Sequence, residues 1–363
     1  MDEKVLKGVT LLTGLLTLVM CITLPFFPQL RSWSMFSEDV AALLEYDGQG
    51  QQEAENSAEE LTGGVEGTIE EGAVSMDAQL EIQVPEGMDP SLIKIENNYL
   101  TQTVSISFPD GMTDYFAEYG VTGSSDHIAS ITYYKQGTDG VLALELDKVY
   151  ELTSLFVEDA LYLDFTAPRD IYDKIIVVDA GHGGKAPGAV KAGVKEKDID
   201  LAILLELKEL LDAAQEDDPG IKVYYTRTDD SNPSLESRAN LANAVEADLF
   251  ISIHNNSSNS GQFSSLQGTQ VLYSESYEKT PSSRTFAQIC LEEVVSAIGS
   301  RSLGLVKGDK IYIIRSSEVP VALIEVGFMT NREELDKLKT EEYQEETAQG
   351  IYNAIMRAYD EGF

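Results

Sequence analysis

The chain has 363 residues, more than one domain usually needs, and 43% of them are hydrophobic, enough for a sizeable core. Its formal net charge is −36, from 62 acidic and 26 basic residues. This charge argues against nucleic-acid binding, because phosphate recognition needs a basic surface. The two cysteines, Cys21 and Cys290, belong to no zinc motif, and Cys21 lies in an apolar run, so the fold is expected to stand without disulfides.

An uncharged apolar run lies near the N-terminus. Residues 8–27 carry no charge, and as a helix of about 30 Å they are long enough to cross a bilayer. Lys4 and Lys7 precede this run, whereas acids dominate the residues that follow it. The positive-inside rule therefore predicts that residues 1–31 form a cytoplasmic N-terminus and a single-pass membrane anchor, with the rest of the chain extracytoplasmic. A cleaved signal peptide is the alternative, but no small-x-small cleavage site follows the run.

Two segments of different composition come next. Residues 32–77 are rich in Glu, Gly, Gln and Ser with few large apolar side chains, which predicts a disordered acidic linker. Residues 78–168 carry short alternating runs between turn sequences, which predict a small all-β domain, a β-sandwich. These runs are QLEIQV, LIKIE, TVSISF, ITYYK, VLALEL and ALYLDF. The one histidine of this segment, His127, lacks metal-binding neighbours and is expected in a surface loop.

Residues 170–363 alternate between strand and helix patterns, as in an α/β domain. Several strand runs are continuously apolar, as in strands covered on both faces. The predicted strands are KIIVVDA, KVYYTR, DLFISIH, TQVLYS, KIYIIR and VALIEVGF. Helical spacing recurs over 199–210, over 235–245 with Ser234 as N-cap, and near the C-terminus. Asn331 with Glu334 indicates a capping-box variant at the start of another helix.

Four side chains suited to metal or acid–base chemistry lie near the ends of these elements. His182 and His254 follow apolar strands closely, Glu325 lies near the end of another strand, and Glu196 precedes the first helix of the domain. Active sites of α/β sheets gather at the carboxyl ends of strands. Two histidines and a carboxylate are a common donor set for catalytic Zn²⁺, which lowers the pKa of its water to about 7. His182, Glu196 and His254 therefore suit the ligand role, and Glu325 suits general acid–base catalysis.

Each of these residues also has a structural interpretation. Either histidine can be a hydrogen-bonded residue at a strand end. Glu325 can be a buried ion-pair partner of Arg227 or Arg315, and spacing alone does not separate its role from that of Glu196. Further candidate carboxylates are Asp179 and Asp198.

At these residues the domain resembles the zinc-dependent N-acetylmuramoyl-L-alanine amidases of the bacterial cell wall. The resemblance spans about residues 174–359, and the matching segments occur in the family's order. They are IVVDAGHGGKAPGAV, GVKEKDIDLAI, VYYTRTDD, SLESRANLANAVEADLFISIHNNSS, GTQVLYS, IYIIRSSEVPVALIEVGFMTN and EEYQEETAQGI. The resemblance implies zinc ligands at His182, Glu196 and His254 and a catalytic glutamate at Glu325. It also implies a twisted mixed sheet flanked by helices, six-stranded by the runs counted above.

The function implied by this resemblance is hydrolysis of the amide bond between N-acetylmuramic acid and L-alanine in peptidoglycan. Peptidoglycan is then the expected partner, and the catalytic domain is expected on the cell-wall side of the membrane. A zinc peptidase that cuts within the stem peptide and a non-catalytic wall-binding protein are the alternatives. Asn256 and Arg315 are candidates for substrate positioning, or else structural residues. The all-β segment is similar in position and strand pattern to AMIN-type wall-targeting domains, with a plain spacer domain as the alternative.

Overall fold

The computed structural model describes residues 78–111, 114–123, 125–276 and 282–363. All of them belong to one compact unit, residues 71–363. The predicted membrane anchor and acidic linker lie outside the described residues. Among the helices within the described ranges, none combines the length and the apolar character needed to cross a membrane.

The first part of the described chain is all-β apart from two short 3₁₀ turns. Its strands are β1 (Leu80–Gln83), β2 (Lys94–Asn98), β3 (Thr103–Phe108), β4 (Val121–Gly123), β5 (Ile128–Gln136), β6 (Asp139–Leu146), β7 (Glu151–Val157) and β8 (Ala160–Thr166). They form two antiparallel sheets, in the orders β4-β1-β8-β7 and β2-β3-β6-β5. Alternate side chains of both sheets, such as Ile82 and Ile106, share one buried cluster because successive residues of a strand face opposite sides.

The second part is an α/β domain. Its strands are β9 (Lys174–Ala180), β10 (Val190–Lys191), β11 (Val194–Lys195), β12 (Ile221–Tyr225), β13 (Leu249–Asn256), β14 (Thr269–Tyr273), β15 (Ser302–Lys307) and β16 (Val321–Phe328). Its helices are α1 (Pro168–Ile171), α2 (Glu196–Asp217), α3 (Leu235–Ala244), α4 (Ser283–Ile298), α5 (Tyr312–Arg315), α6 (Arg332–Leu338) and α7 (Glu341–Asp360). The strands β10 and β11 form a separate hairpin between β9 and α2.

Six of these strands form one sheet in the order β12-β9-β13-β16-β14-β15. Every neighbouring pair is parallel except β14 and β16, which are antiparallel. The predicted mixed six-stranded sheet is thus confirmed. Because β9, β13 and β16 are parallel, their carboxyl ends meet at one edge of the sheet, which we call the carboxyl edge; the opposite edge is the amino edge.

Helices cover both faces of this sheet, which explains its continuous apolar strands. Ile176 and Val178 pack in a cluster with α2, α4 and α7, whereas Ile175 and Val177 pack in a second cluster with α3 and α5. The predicted N-caps are confirmed: the Ser234 hydroxyl caps α3, and the Asn331 side chain caps α6. The second half of the predicted capping box is wrong, because the Glu334 carboxylate accepts hydrogen bonds from the Gly268 and Phe328 amides and not from the Asn331 amide.

One strand prediction was wrong. The run KIYIIR contains the short helix α5, and the sixth strand is β15, with the sequence SLGLVK. Ile313 and Ile314 are consecutive and both buried, a pattern that a short buried helix shares with a strand covered on both faces, so the apolar run alone did not separate the two. The strand β15 has a weak pattern because it is an edge strand: Leu303 and Val306 remain 36% and 37% exposed.

The β-sandwich contacts the outermost strand of the α/β sheet. Glu151 of β7 accepts hydrogen bonds from the hydroxyls of Tyr224 (2.5 Å) and Tyr99 (3.1 Å). The ammonium of Lys222 lies 3.1 Å from the same carboxylate. The strand β12, the outermost of the α/β sheet, is therefore joined to the preceding domain through side-chain contacts.

Candidate active site

The structure brings three of the predicted residues to the carboxyl edge in direct contact. His182 follows β9 by two residues, His254 lies near the end of β13, and Glu196 is the first residue of α2. The Oε1 atom of Glu196 lies 3.1 Å from His182 Nε2 and 3.1 Å from His254 Nδ1. The two imidazole ring centres are 4.9 Å apart. These atoms form what we call the donor cluster.

Hydrogen bonds from two backbone amides fix the Glu196 carboxylate within the donor cluster. Its Oε2 accepts a hydrogen bond from the Ala189 amide (2.7 Å), and its Oε1 accepts one from the Asn255 amide (3.1 Å). Burial alone would raise the pKa of Glu196, but hydrogen bonds with His182 and His254 outweigh it and hold the pKa well below its usual range. Glu196 is therefore a carboxylate at neutral pH.

Negative charge surrounds His254. Burial would lower the pKa of its imidazole, but the hydrogen bond to Glu196 and the charges of Asp200, Glu196 and Glu325 raise it to about 9. The carboxylates thus create a strong preference for positive charge at this position, whether it is carried by a proton or by a metal ion.

Glu325 lies on β16 directly beside His254 of β13 in the parallel register. Burial raises the pKa of its carboxyl group to about 7. Its Oε2 atom is buried and has no hydrogen-bond partner among the described residues. Glu325 does not form the ion pair with Arg227 or Arg315 that its apolar strand also allowed. A carboxyl group with a pKa near neutrality can both accept and release a proton, as general acid–base catalysis requires.

Two buried arginines hold the backbone that carries His182. Arg227 donates to the carbonyl oxygens of Ala180 (2.9 Å) and Gly181 (2.7 Å). Arg238 donates to the carbonyl oxygens of Ala180 (2.7 Å) and His182 (2.6 Å). His182 itself has a φ of +59°, a left-handed conformation that costs free energy in a residue other than glycine. The arginines stabilise this conformation and so orient the loop that carries His182.

The two further candidate carboxylates lie outside the donor cluster. Asp179 is fully buried and pairs with Arg238 Nη1 at 2.5 Å, while it accepts hydrogen bonds from Thr226 and Ser252, both at 2.6 Å. Its role is therefore to anchor Arg238. Asp198 is exposed in the first turn of α2.

Asp200 is the functional candidate that sequence reasoning missed. It is fully buried one helical turn after Glu196, and its ligand atom lies within 4.8 Å of those of His182, Glu196 and His254. Asn255 donates to its Oδ1 at 2.8 Å, whereas its Oδ2 has no partner among the described residues. Burial and the nearby Glu196 raise the pKa of Asp200 well above its usual value. The i, i+4 spacing from Glu196 was the available signal, because it places both residues on one helix face.

The structure separates the two candidates for substrate positioning. Asn256 ends β13 at the carboxyl edge, half-buried, and its Oδ1 accepts a hydrogen bond from the Ser257 amide (2.8 Å). Arg315 lies after the end of β15, at the amino edge, where it is exposed and donates to the Lys310 carbonyl oxygen (3.1 Å). Arg315 is therefore not brought together with the donor cluster.

Comparison with known proteins matches residues 176–357 to the family described as N-acetylmuramoyl-L-alanine amidase. The uncharacterized protein YqiI of Bacillus subtilis is 38% identical over 54% of this chain and 89% of its own length. The sporulation-specific N-acetylmuramoyl-L-alanine amidase of B. subtilis is 33% identical over 51% of this chain and 68% of its length. The amidase LytC of the same bacterium is also 33% identical, over 52% of this chain but only 36% of LytC.

Proposed function

The chain belongs to the N-acetylmuramoyl-L-alanine amidase family, and from this premise we propose that its donor cluster holds a zinc ion that serves the cleavage of peptidoglycan. The bond cut joins N-acetylmuramic acid to the L-alanine of the stem peptide. His182, Glu196 and His254 are the proposed ligands, and Glu325 is the proposed general acid–base. The observation that carries this proposal is the convergence of two imidazole nitrogens on one carboxylate oxygen, each at 3.1 Å.

The donor cluster fits zinc in both chemistry and size. Two histidines and one carboxylate are a donor set of catalytic zinc sites, in which a fourth position stays open. Atoms that bind a tetrahedral zinc ion at its usual distances lie about 3.3 Å from one another. The observed separations of 3.1 Å are close to this value. The buried, unpartnered Oδ2 of Asp200 adds a further oxygen atom beside the cluster that could face a cation.

The protein's own residues transfer the proton and position the proposed ligand His182. When bound, zinc supplies a Lewis acid that lowers the pKa of a water molecule to about 7. Glu325, with a pKa of about 7, accepts a proton from the attacking water and delivers it to the amine of the leaving L-alanine. Arg227 and Arg238 keep His182 in place through its loop backbone during this transfer.

The regions before the catalytic domain support a proposal about location. The uncharged run of residues 8–27, preceded by lysines and followed by acids, favours a single-pass anchor with the catalytic domain on the cell-wall side. Along the chain the β-sandwich, residues 78–168, comes between the uncharged run and the catalytic domain. Its position and strand pattern favour a wall-targeting role of the AMIN type. A cysteine introduced into the β-sandwich tests this topology. A fluorescent label that cannot cross the membrane should react with this cysteine on intact cells as well as after lysis.

Digestion of purified peptidoglycan by the full-length protein tests the reaction. We expect release of stem peptides with a new N-terminal L-alanine, loss of this activity with a chelator, and recovery on addition of Zn²⁺. New termini within the stem peptide would instead identify a peptidase. The absence of any zinc-dependent release would leave a wall-binding protein.

Gly188 offers a test of the donor cluster that leaves every ligand in place. A Cβ atom at Gly188 would lie 2.5 Å from Glu196 Oε2 and 2.7 Å from His182 Cδ2. We expect Gly188→Ala to lower zinc affinity at least about tenfold, because shifts of a ligand by a few tenths of an ångström degrade metal geometry. Competition with a chromogenic chelator measures this affinity.

Gly193→Ala is the matched control. Gly193 has a similar positive φ (+84°, against +66° at Gly188), but its Cβ would meet no atom within 4 Å. Both substitutions carry the backbone strain of alanine at positive φ, so only the contact with the donor cluster differs. Equal zinc affinities in the two variants would contradict the proposed ligand geometry.

A further inference from the structure

Two cationic side chains lie over one aromatic ring at the carboxyl edge. The Nζ atom of Lys191 lies 4.9 Å from the centre of the Phe263 ring, and the Cζ atom of Arg332 lies 3.9 Å from the same centre. Lys191 also donates a hydrogen bond to the Gly261 carbonyl oxygen. We call Lys191, Phe263 and Arg332 the cationic clamp.

The cationic clamp is assembled from three segments that adjoin the donor cluster. Lys191 belongs to the β10–β11 hairpin, which leads directly into Glu196. Phe263 lies in the loop after β13, the strand of His254, and Arg332 opens α6 shortly after β16. The amide of Ser264 donates to the Thr330 carbonyl oxygen (2.8 Å), which ties the Phe263 loop to the segment before Arg332. The clamp therefore lies at the carboxyl edge, on segments that are continuous with those of the donor cluster and of Glu325.

Two of the three segments that carry the cationic clamp contain no acid, although the chain as a whole is strongly acidic. Residues 183–195 contain three lysines and no acid, and residues 257–268 contain no charged side chain, whereas Glu333 and Glu334 follow Arg332 in the third segment. Within the described part of the chain, no carboxylate forms an ion pair with Lys191 or Arg332. Arg332 also occupies the first position of a helix, where the helix dipole disfavours a cation. Two cations held together without a counter-ion produce a positive potential that attracts an anion.

We propose that the cationic clamp binds a free carboxylate of the stem peptide beside the amide bond that is cut. This inference rests on the proposed amidase function and adds its substrate class: stem peptides with a free acidic group, in preference to amidated ones. Contact with Phe263 restricts both cations before the substrate arrives, which reduces the entropy lost on binding. The planar guanidinium of Arg332 is suited to two parallel hydrogen bonds with a carboxylate.

The test compares two soluble muropeptides that differ only in whether the acidic residue of the stem carries a free or an amidated carboxylate. We expect the wild-type protein to prefer the free acid. Lys191→Gln and Arg332→Gln should each raise KM for the acidic muropeptide about fivefold, the size of one solvent-exposed ion pair, and the double variant about twentyfold. The value of kcat and the zinc content should stay unchanged, and KM for the amidated muropeptide should not move.

Two cations at the amino edge supply matched controls, Lys310→Gln and Arg315→Gln, since both residues are exposed and remote from the donor cluster. They should leave both KM values unchanged. Suppose that the wild type cleaves both muropeptides and that the clamp variants change the two KM values equally or not at all. The proposed role of the clamp is then refuted, while the amidase function stands. If the wild type releases no stem peptide with N-terminal L-alanine, the amidase function fails and the clamp fails with it.

Discussion

The Glu325→Gln variant is expected to bind zinc as the wild-type protein does and to lose about 100- to 10,000-fold of kcat. Glutamine keeps the size of the side chain, but it cannot take up the proton that a carboxyl group with a pKa of about 7 can accept and release. The donor cluster does not include Glu325, so the three proposed ligands remain intact. Elemental analysis of the purified variant, alongside the peptidoglycan digest, measures the two properties separately.

His254→Ala provides the contrasting variant for this experiment. His254 supplies one of the two imidazole nitrogens of the donor cluster, so its removal should abolish both zinc binding and turnover. The two variants are therefore expected to be equally poor enzymes that differ in metal content. Wild-type turnover in Glu325→Gln would remove this residue from the mechanism, and full zinc content in His254→Ala would remove that histidine from the ligand set.

The Asp179→Ala variant is expected to lose about 3–5 kcal/mol of the free energy of unfolding. Asp179 and Arg238 are both buried, with side chains 1% and 2% exposed, and loss of the carboxylate leaves a buried guanidinium without its counter-ion. The same substitution also removes the acceptor of the Thr226 and Ser252 hydroxyls. Urea denaturation of the full-length protein in the presence of a chelator measures this loss without the stabilisation that bound metal adds.

Asp336→Asn is the control for this measurement. Asp336 pairs with Lys339 at 2.7 Å, but its side chain is 75% exposed, and exposed pairs contribute little to stability. We expect a change within about 0.5 kcal/mol for this variant. A similarly small change in Asp179→Ala would show that the buried pair contributes little to the stability of the fold.

The stability contributed by Asp179 also has a defined pH dependence. Burial alone would raise its pKa, but Arg238 and the two hydroxyls outweigh burial and lower the pKa below 3.8. The contribution is therefore complete above about pH 4 and is lost as the pH falls through the folded-state pKa. Wild-type stability should decline over this acidic range, and Asp179→Ala should lack this part of the decline.

The donor cluster was predictable from the sequence because each member has a local signal. His182 and His254 follow strongly apolar strands, and parallel strands bring their carboxyl ends to one edge. The assignment of Glu196 and Glu325 to different roles needed the family resemblance, since spacing alone left both open. In the structure Glu196 contacts both histidines, whereas Glu325 lies on the neighbouring strand with a buried, unpartnered oxygen.

The positions of Arg315 and the cationic clamp were not accessible in this way. Arg315 precedes the Glu325 strand, so it is close in sequence to the proposed general acid–base but lies at the amino edge. Phe263 lies in a loop without a periodic sequence pattern. It contacts Lys191, which precedes it by about 70 residues, and Arg332, which follows it by about 70 residues. No local pattern encodes such contacts.

The sequence by itself determined which segments are apolar strands and helices, and which residue types end them, because burial and backbone hydrogen bonding act through short periodic patterns. It thereby determined that two histidines and a glutamate meet at one sheet edge. Only the tertiary structure decided which strand is the edge strand, which arginines hold the His182 loop, and where the uncompensated cations lie. Those features depend on contacts between side chains of elements that are distant in the chain. Only the folded geometry sets the distances between these side chains and therefore their electrostatic interactions.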